Sequence, residues 1–278
     1  MKKLIIFAFL SLLLAGCSAE NTADNKPDIF VSFYAVENFA KEIAQDKADI
    51  TTLVQNGSMH DFEISVSQMA KLSGADLFIY FGDADHWAKD VAETAQSEGC
   101  KTLALTPQES EDPHTWLDPD NAIEQLEMIC LALCEISPEN SEYFKTNFEI
   151  AKEKHLALKE RTQSLLSKTE GKTVVVSHGA YGHLMDELKM EQLAIEGIHS
   201  EGDPTAARMA EIIDYIRENN IKYIFVSPNE NSKSAMAVAD ETGAKILQLD
   251  SMEANNQGGS YFDIMKKNLD IIEQSLDN

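Results

Sequence analysis

Apolar positions along this chain alternate between two patterns. Short runs rich in β-branched and aromatic residues recur at Ile29–Tyr34, Ile50–Val54, Leu77–Phe81, Lys101–Leu105, Thr173–Ser177, Tyr223–Ser227 and Lys245–Leu249. Helical spacing fills the segments between them. Alternating strand and helix signals predict parallel sheets covered by helices. Capping residues followed by proline mark several helix starts, at Asp118-Pro119, Ser137-Pro138, Asp203-Pro204 and Ser227-Pro228. At the last of these, Glu230 would complete a capping box on Ser227.

One segment breaks the alternation. From Pro138 to about Lys168 there is no strand signal and no glycine, and Phe144, Phe148, Ala151, His155, Leu158, Thr162 and Leu165 recur at three- and four-residue steps. This predicts one amphipathic helix about 45 Å long, more than a single small lobe needs, and hence a stiff connector. His155 falls on its inward stripe and reads as a core histidine. The body also exceeds the length of a usual single core. The expected fold is therefore α/β, two Rossmann-like lobes with parallel sheets joined by one long spine helix. Residues 29–136 form the N-terminal lobe, 137–169 the connecting helix and 170–278 the C-terminal lobe.

The N-terminus changes where this body is expected to work. Met1-Lys2-Lys3 precedes an apolar run from Leu4 to Leu14, and the chain then reads Leu14-Ala15-Gly16-Cys17. The run is about half the length of a membrane span, so residues 1–16 read as a signal peptide with a lipoprotein-type cleavage site. Cys17 would carry the lipid, and residues 17–28 would be a polar tether. The folded body is expected outside the cytoplasmic membrane. Its formal net charge of −24 argues against nucleic acid or anionic membranes as partners and favours cations. Cys100, Cys130 and Cys134 remain. Cys130 shares a helical face with Leu126, Ile129 and Leu133 and reads as a small core residue. It lies one helical turn from Cys134, a poor spacing for a disulfide.

Ligands of open α/β sheets bind beyond the carboxyl ends of the strands. Four metal-binding side chains fall there: His60 after Ile50–Val54, His114 after Lys101–Leu105, His178 directly after Thr173–Ser177, and Asp250 at the end of Lys245–Leu249. Two come from each expected lobe, which places a metal site at the lobe interface. Each alone is weak, since a single histidine after a strand is more often structural, and the case rests on the four together. Three imidazoles and a carboxylate suit Zn²⁺, Mn²⁺ or Fe²⁺, whereas Cu(I) calls for thiolates or thioethers. Four protein donors also fill a tetrahedral sphere, which favours binding over turnover. A secreted metallohydrolase would need a signature such as His-Glu-x-x-His, which is missing. An adhesin would be supported by a repeat, a stalk or an aromatic patch, and none is seen.

Other candidates have plainer readings. His86, beside Trp87, is a surface histidine or a ligand at the cleft mouth. His183, five residues after His178, would point about 140° away from it on a helix. His199 lies in a loop. Glu63 either orients the His60 imidazole or caps the following helix.

Four segments resemble the metal-binding receptors of ABC importers for zinc and manganese, the cluster A-I solute-binding proteins. They are Met59-His60-Asp61-Phe62-Glu63, Asp112-Pro113-His114-Thr115-Trp116-Leu117-Asp118, Val176-Ser177-His178-Gly179-Ala180-Tyr181-Gly182, and Leu249-Asp250-Ser251 with Ser260-Tyr261-Phe262-Asp263. The resemblance runs from about Ile29 to the C-terminus. It implies that His60, His114, His178 and Asp250 are the ligands, that lobe motion is limited, and that a monomeric receptor hands its ion to an ABC permease. Two features bear on the metal. The acidic segment Glu109-Ser110-Glu111-Asp112 is short and lacks the histidines of many zinc-type members, whereas manganese-type members often have glutamate where this chain has His178. The extra imidazole makes zinc the expected ion, with manganese or ferrous iron as alternatives.

Overall fold

The computed structural model describes residues 26–55, 59–60, 62–82, 84–106, 111–198, 204–228, 230, 232–255 and 258–276. The expected signal peptide, Cys17, most of the tether, His199 and Asp203 lie outside the described residues.

Two parallel sheets of four strands carry the fold. The first comprises β1 (Asp28–Val31), β2 (Asp49–Thr52), β3 (Leu77–Tyr80) and β4 (Lys101–Ala104), in the order β2-β1-β3-β4. The second comprises β5 (Thr173–His178), β6 (Glu191–Glu196), β7 (Tyr223–Val226) and β8 (Lys245–Gln248), in the order β6-β5-β7-β8. Both orders reverse direction beside their first strand, so each sheet has a switch point where loops diverge and leave a crevice. In the first half, α1 (Tyr34–Ala44), α2 (Val66–Leu72), α3 (His86–Ser97) and α4 (Pro119–Ile136) follow the strands. In the second, α6 (Gly182–Glu187), α7 (Ala206–Glu218), α8 (Lys233–Thr242) and α9 (Tyr261–Leu276) do so.

Between the halves runs α5 (Ser141–Thr169), preceded by a short 3₁₀ turn at Pro138–Asn140. Its 29 residues span about 44 Å. It buries Phe144, Phe148, Ala151, His155, Leu158, Thr162, Leu165 and Thr169, the stripe that the three- and four-residue spacing predicts. Among the described residues no helix is long and apolar enough to cross a membrane.

Local signals explain most boundaries. Asp118 caps α4, its Oδ1 accepting from the N–H groups of Asp120 and Asn121, with Pro119 in the first turn. Several boundaries differ from expectation: α7 is capped by Thr205, whose Oγ1 accepts from Arg208 N–H, one residue past Pro204, and α5 begins at Ser141 after the 3₁₀ turn that Pro138 opens. β6 was not foreseen, because its sequence Glu-Gln-Leu-Ala-Ile-Glu lies at a sheet edge and is only partly buried. Helix α8 starts at Ser232, whose Oγ accepts from Ala235 N–H, and not at Ser227. Glu230 does accept from Ser227 N–H at 3.2 Å, but its Oε2 also takes a hydrogen bond from Ser177 Oγ at 2.8 Å, tying that loop to β5.

One apolar core passes through both halves. It joins Ile29, Val31, Leu77 and Ile79 of the first sheet to Val174, Val176 and Phe225 of the second, through residues of α1, α4, α5 and α9. Two smaller clusters fill the outer face of each sheet. Full burial of each large apolar side chain contributes about 1.5–3 kcal/mol, so this shared layer holds the halves together more firmly than a polar cleft interface would. The cysteines are free: Cys100 and Cys130 are buried and Cys134 partly so. Burial pushes the Cys100 thiol up to about 11 and the Cys130 thiol up to about 12, which keeps both protonated.

Candidate metal centre

Four donor side chains, three from loops and one from the last residue of β5, meet at the carboxyl ends of the two sheets. His60 Nε2, His114 Nε2 and His178 Nε2 lie 3.3, 3.4 and 3.2 Å from a single oxygen, Oε1 of Glu253. The ring centroids of the three histidines are 5.1–5.9 Å apart and steeply tilted to one another, so the rings converge edge-on. All four donor atoms lie within 4.8 Å of one another. A tetrahedron with metal–ligand bonds of about 2.0–2.1 Å has edges of about 3.3–3.4 Å. The three Glu253–histidine distances lie close to that edge length.

The imidazoles of His114 and His178 are held from behind. His114 is fully buried, with its Nδ1–H donating to Asp112 Oδ1 at 2.7 Å and its ring against Trp116. The Nδ1–H of His178 donates to the Gly197 carbonyl at 2.9 Å. These bonds place the proton on Nδ1 and turn Nε2 inward, the usual way a metal-binding histidine is oriented. His60 sits in the loop after β2. There, Trp87 Nε1–H donates to the carbonyl of Met59 at 2.9 Å and packs on Phe62, fixing the backbone just before the ligand.

The carboxylate is not the one expected. Asp250 follows β8 as foreseen, but its Oδ1 accepts from Met252 N–H at 2.9 Å, and its side chain lines a separate small cavity with Pro228, Gln248, Asp263 and Lys267. Asp250 thus builds a turn, and Glu253 three residues on reaches the histidines. Met252 makes the reversal: it is fully buried with φ +61°, in the left-handed region that only a well-supported residue adopts. Around it, Trp116 Nε1–H donates to Ser251 O at 2.8 Å, and Asn268 donates to Asp250 O and accepts from Asp250 N–H. Tyr34 donates to Gly259 O at 3.1 Å, and Tyr181 O–H donates to Leu249 O at 2.5 Å. In the sequence, the acidic residue shortly after Asp250 was the available signal.

Other sequence candidates take structural places. Glu63 is exposed at the approach to α2, whose capping box is made by Ser65 and Gln68. His86 is exposed at the start of α3. His155 is buried on α5, 3.2 Å from Glu42 Oε2 and stacked on Tyr261. His183 Nε2 bonds the Asp112 carbonyl at 3.0 Å, tying the halves together behind His114. There the halves come so close that a methyl at Gly182 would collide with Asp112 Oδ2.

The site concentrates opposing charge. Burial alone would lower the His114 pKa, but the carboxylates of Asp112 and Glu253 on either side raise it to about 9. His178 is likewise raised by Glu253 against the effect of burial. Burial would raise Glu253, yet the surrounding histidines hold it well below the usual carboxylate range. Asp112, bonded twice by His114, is also held down despite its burial.

The two-lobed fold brings three histidines and a carboxylate together between the lobes as a candidate metal-binding site. Residues 29–275 match the family described as ZnuA, zinc-uptake complex component A, periplasmic, and the chain belongs to it. Among relatives, it is 30% identical to the zinc-binding lipoprotein AdcA of Streptococcus pneumoniae, covering 100% of this chain and 62% of that protein. It is also 30% identical to the high-affinity zinc uptake system protein ZnuA of Bacillus subtilis, covering 98% of this chain and 97% of that one. The chain therefore spans less than two thirds of AdcA. Among solved structures, the laminin-binding protein of Streptococcus agalactiae, described as bifunctional with adhesin and metal transporting activity, superposes with a TM-score of 0.83 at 30% identity, over 90% of this chain and 99% of that one. Zn(II)-bound AdcA of Streptococcus pneumoniae does so with a TM-score of 0.79 at 30% identity, over 91% of this chain and 58% of that one.

Proposed function

We propose that this chain is the extracytoplasmic zinc receptor of an ABC importer, binding one Zn²⁺ through His60, His114, His178 and Glu253 and passing it to a membrane permease. The observation that carries this reading is the set of three Nε2 atoms 3.2–3.4 Å from one Glu253 oxygen, the edge length of a zinc tetrahedron. The zinc-binding names of the relatives support the choice of ion. Three imidazoles with one carboxylate oxygen suit zinc better than manganese, which prefers more oxygen donors. Four protein donors leave no position for an activated water, which favours a receptor over a hydrolase.

In this reading Cys17 carries the lipid, residues 1–16 are removed, and the folded body works at the membrane surface. Metal analysis of protein purified without chelator tests the proposal. One zinc per chain, lost in His178→Ala while the fold persists, is the expected result. A metal-free protein that takes up no zinc on titration would overturn it.

A further inference from the structure

The two oxygens of Glu253 have different neighbours. Oε1 faces the three histidines. Oε2 accepts a hydrogen bond from Ser251 Oγ at 2.8 Å. Ser251 is 1% exposed, and its carbonyl is fixed by Trp116 from the other half of the molecule. Its Oγ also lies 3.2 Å from Ser227 Oγ. A hydroxyl has one proton, and that of Ser251 goes to Glu253, which leaves Ser227, also bonded with the Tyr181 hydroxyl, as the group that can donate to Ser251. The result is a buried donor chain, Ser227 to Ser251 to Glu253 Oε2, in which each bond strengthens the next.

We propose that Ser251 sets the metal selectivity of this site by holding Glu253 to a single coordinating oxygen. The bond from Ser251 turns Oε2 away from the histidines and favours Glu253 as a monodentate ligand, which with three imidazoles gives four donors. That number suits zinc. Manganese gains from further oxygen donors, and a bidentate Glu253 would supply one. Ser251 thus acts as a positioning residue through Glu253. This inference rests on the zinc-receptor reading.

Ser251→Ala, with Ser227→Ala for comparison, tests it. Co²⁺ is the spectroscopic probe, because four-coordinate Co²⁺ absorbs visible light far more strongly than five- or six-coordinate Co²⁺. The wild-type protein loaded with Co²⁺ should show the strong four-coordinate band, and Ser251→Ala should weaken it. In competition titrations, the ratio of zinc to manganese affinity should fall at least about tenfold in Ser251→Ala, the scale on which partners of a coordinating group act. Ser227→Ala keeps the direct bond to Glu253 and should shift the ratio less. An unchanged band and ratio in a folded Ser251→Ala protein would refute the inference while leaving the receptor reading intact. A wild type that binds neither Co²⁺ nor Zn²⁺ would overturn both. X-ray absorption on the zinc-loaded wild type decides the point without any variant: four donors are expected, and five, with Glu253 bidentate, would refute it.

Discussion

Asp112 grips His114 twice with one oxygen, its Oδ1 accepting from the backbone N–H at 3.0 Å and from Nδ1–H at 2.7 Å. The short residue spacing makes a clamp that fixes both the ring's tautomer and its rotation. Asp112→Ala leaves the three histidines and Glu253 in place but frees the His114 ring. Zinc affinity should fall about 10- to 100-fold, measured by competition with a chromogenic chelator. An unchanged Kd would show that the packing of Trp116 alone orients His114.

The two acidic residues of the loop after β8 should separate cleanly. Glu253→Gln removes the charge facing three imidazoles and should weaken zinc binding by at least an order of magnitude. Asp250→Asn keeps an oxygen for the turn to Met252 and should change affinity only a few-fold. Isothermal titration of both variants checks this. The reverse ranking would return Asp250 to the site.

Zinc should compete with protons. With its pKa raised to about 9, His114 carries a proton at neutral pH in the ion-free protein, and His178 is shifted the same way. Binding needs both imidazoles neutral. Near pH 7.5 zinc should release at least one proton, and affinity should rise with pH up to about 9. Stability of the ion-free protein runs the other way. A histidine raised in the folded state adds stability that is full below its ordinary pKa and is lost as pH climbs through the raised value. The ion-free protein should therefore lose stability between about pH 6.5 and 9. Calorimetry in buffers of different ionisation enthalpy counts the protons, and zero release would contradict the charge arrangement around Glu253.

The three histidines were legible in the sequence because His178 ends a strand while His60 and His114 lie in the loops that leave two others, and strand ends are readable from hydrophobic pattern. The long helix was legible for a similar reason: 29 residues of one stripe leave little choice. Glu253 was not legible. Its position depends on Met252 adopting a left-handed conformation that methionine does not advertise, and on an Asp250 side chain turned back on its own loop. Strand β6 escaped because an edge strand that is half wet, as Glu191–Glu196 is, shows no apolar run. Glu230 makes its expected bond to Ser227 N–H, but the same oxygen is also held by Ser177 and the helix starts later, at Ser232, a tertiary arrangement that local pattern does not contain.

Limited motion on binding follows from the shared core. Wide opening would have to part Ile29 and Leu77 from the α5 and α9 residues that also cover Val174 and Phe225. The radius of gyration from small-angle scattering should change little between ion-free and zinc-loaded protein. A large decrease on loading would mean that α5 bends.

Continuity of that core has a consequence for how the molecule comes apart. Each sheet has a cluster of its own on one face, but the layer that packs on α5 and α9 is common to both, so the two halves are expected to fold as one unit. Heat or denaturant should meet one cooperative transition, with no state in which one half is melted and the other intact. Damage far from the histidines, for example a truncation of Leu158 in α5, is then felt at the metal as a larger unfolded fraction and not as a weaker bond. In the proposed site, an ion held by residues of both halves would report on the integrity of the core they share.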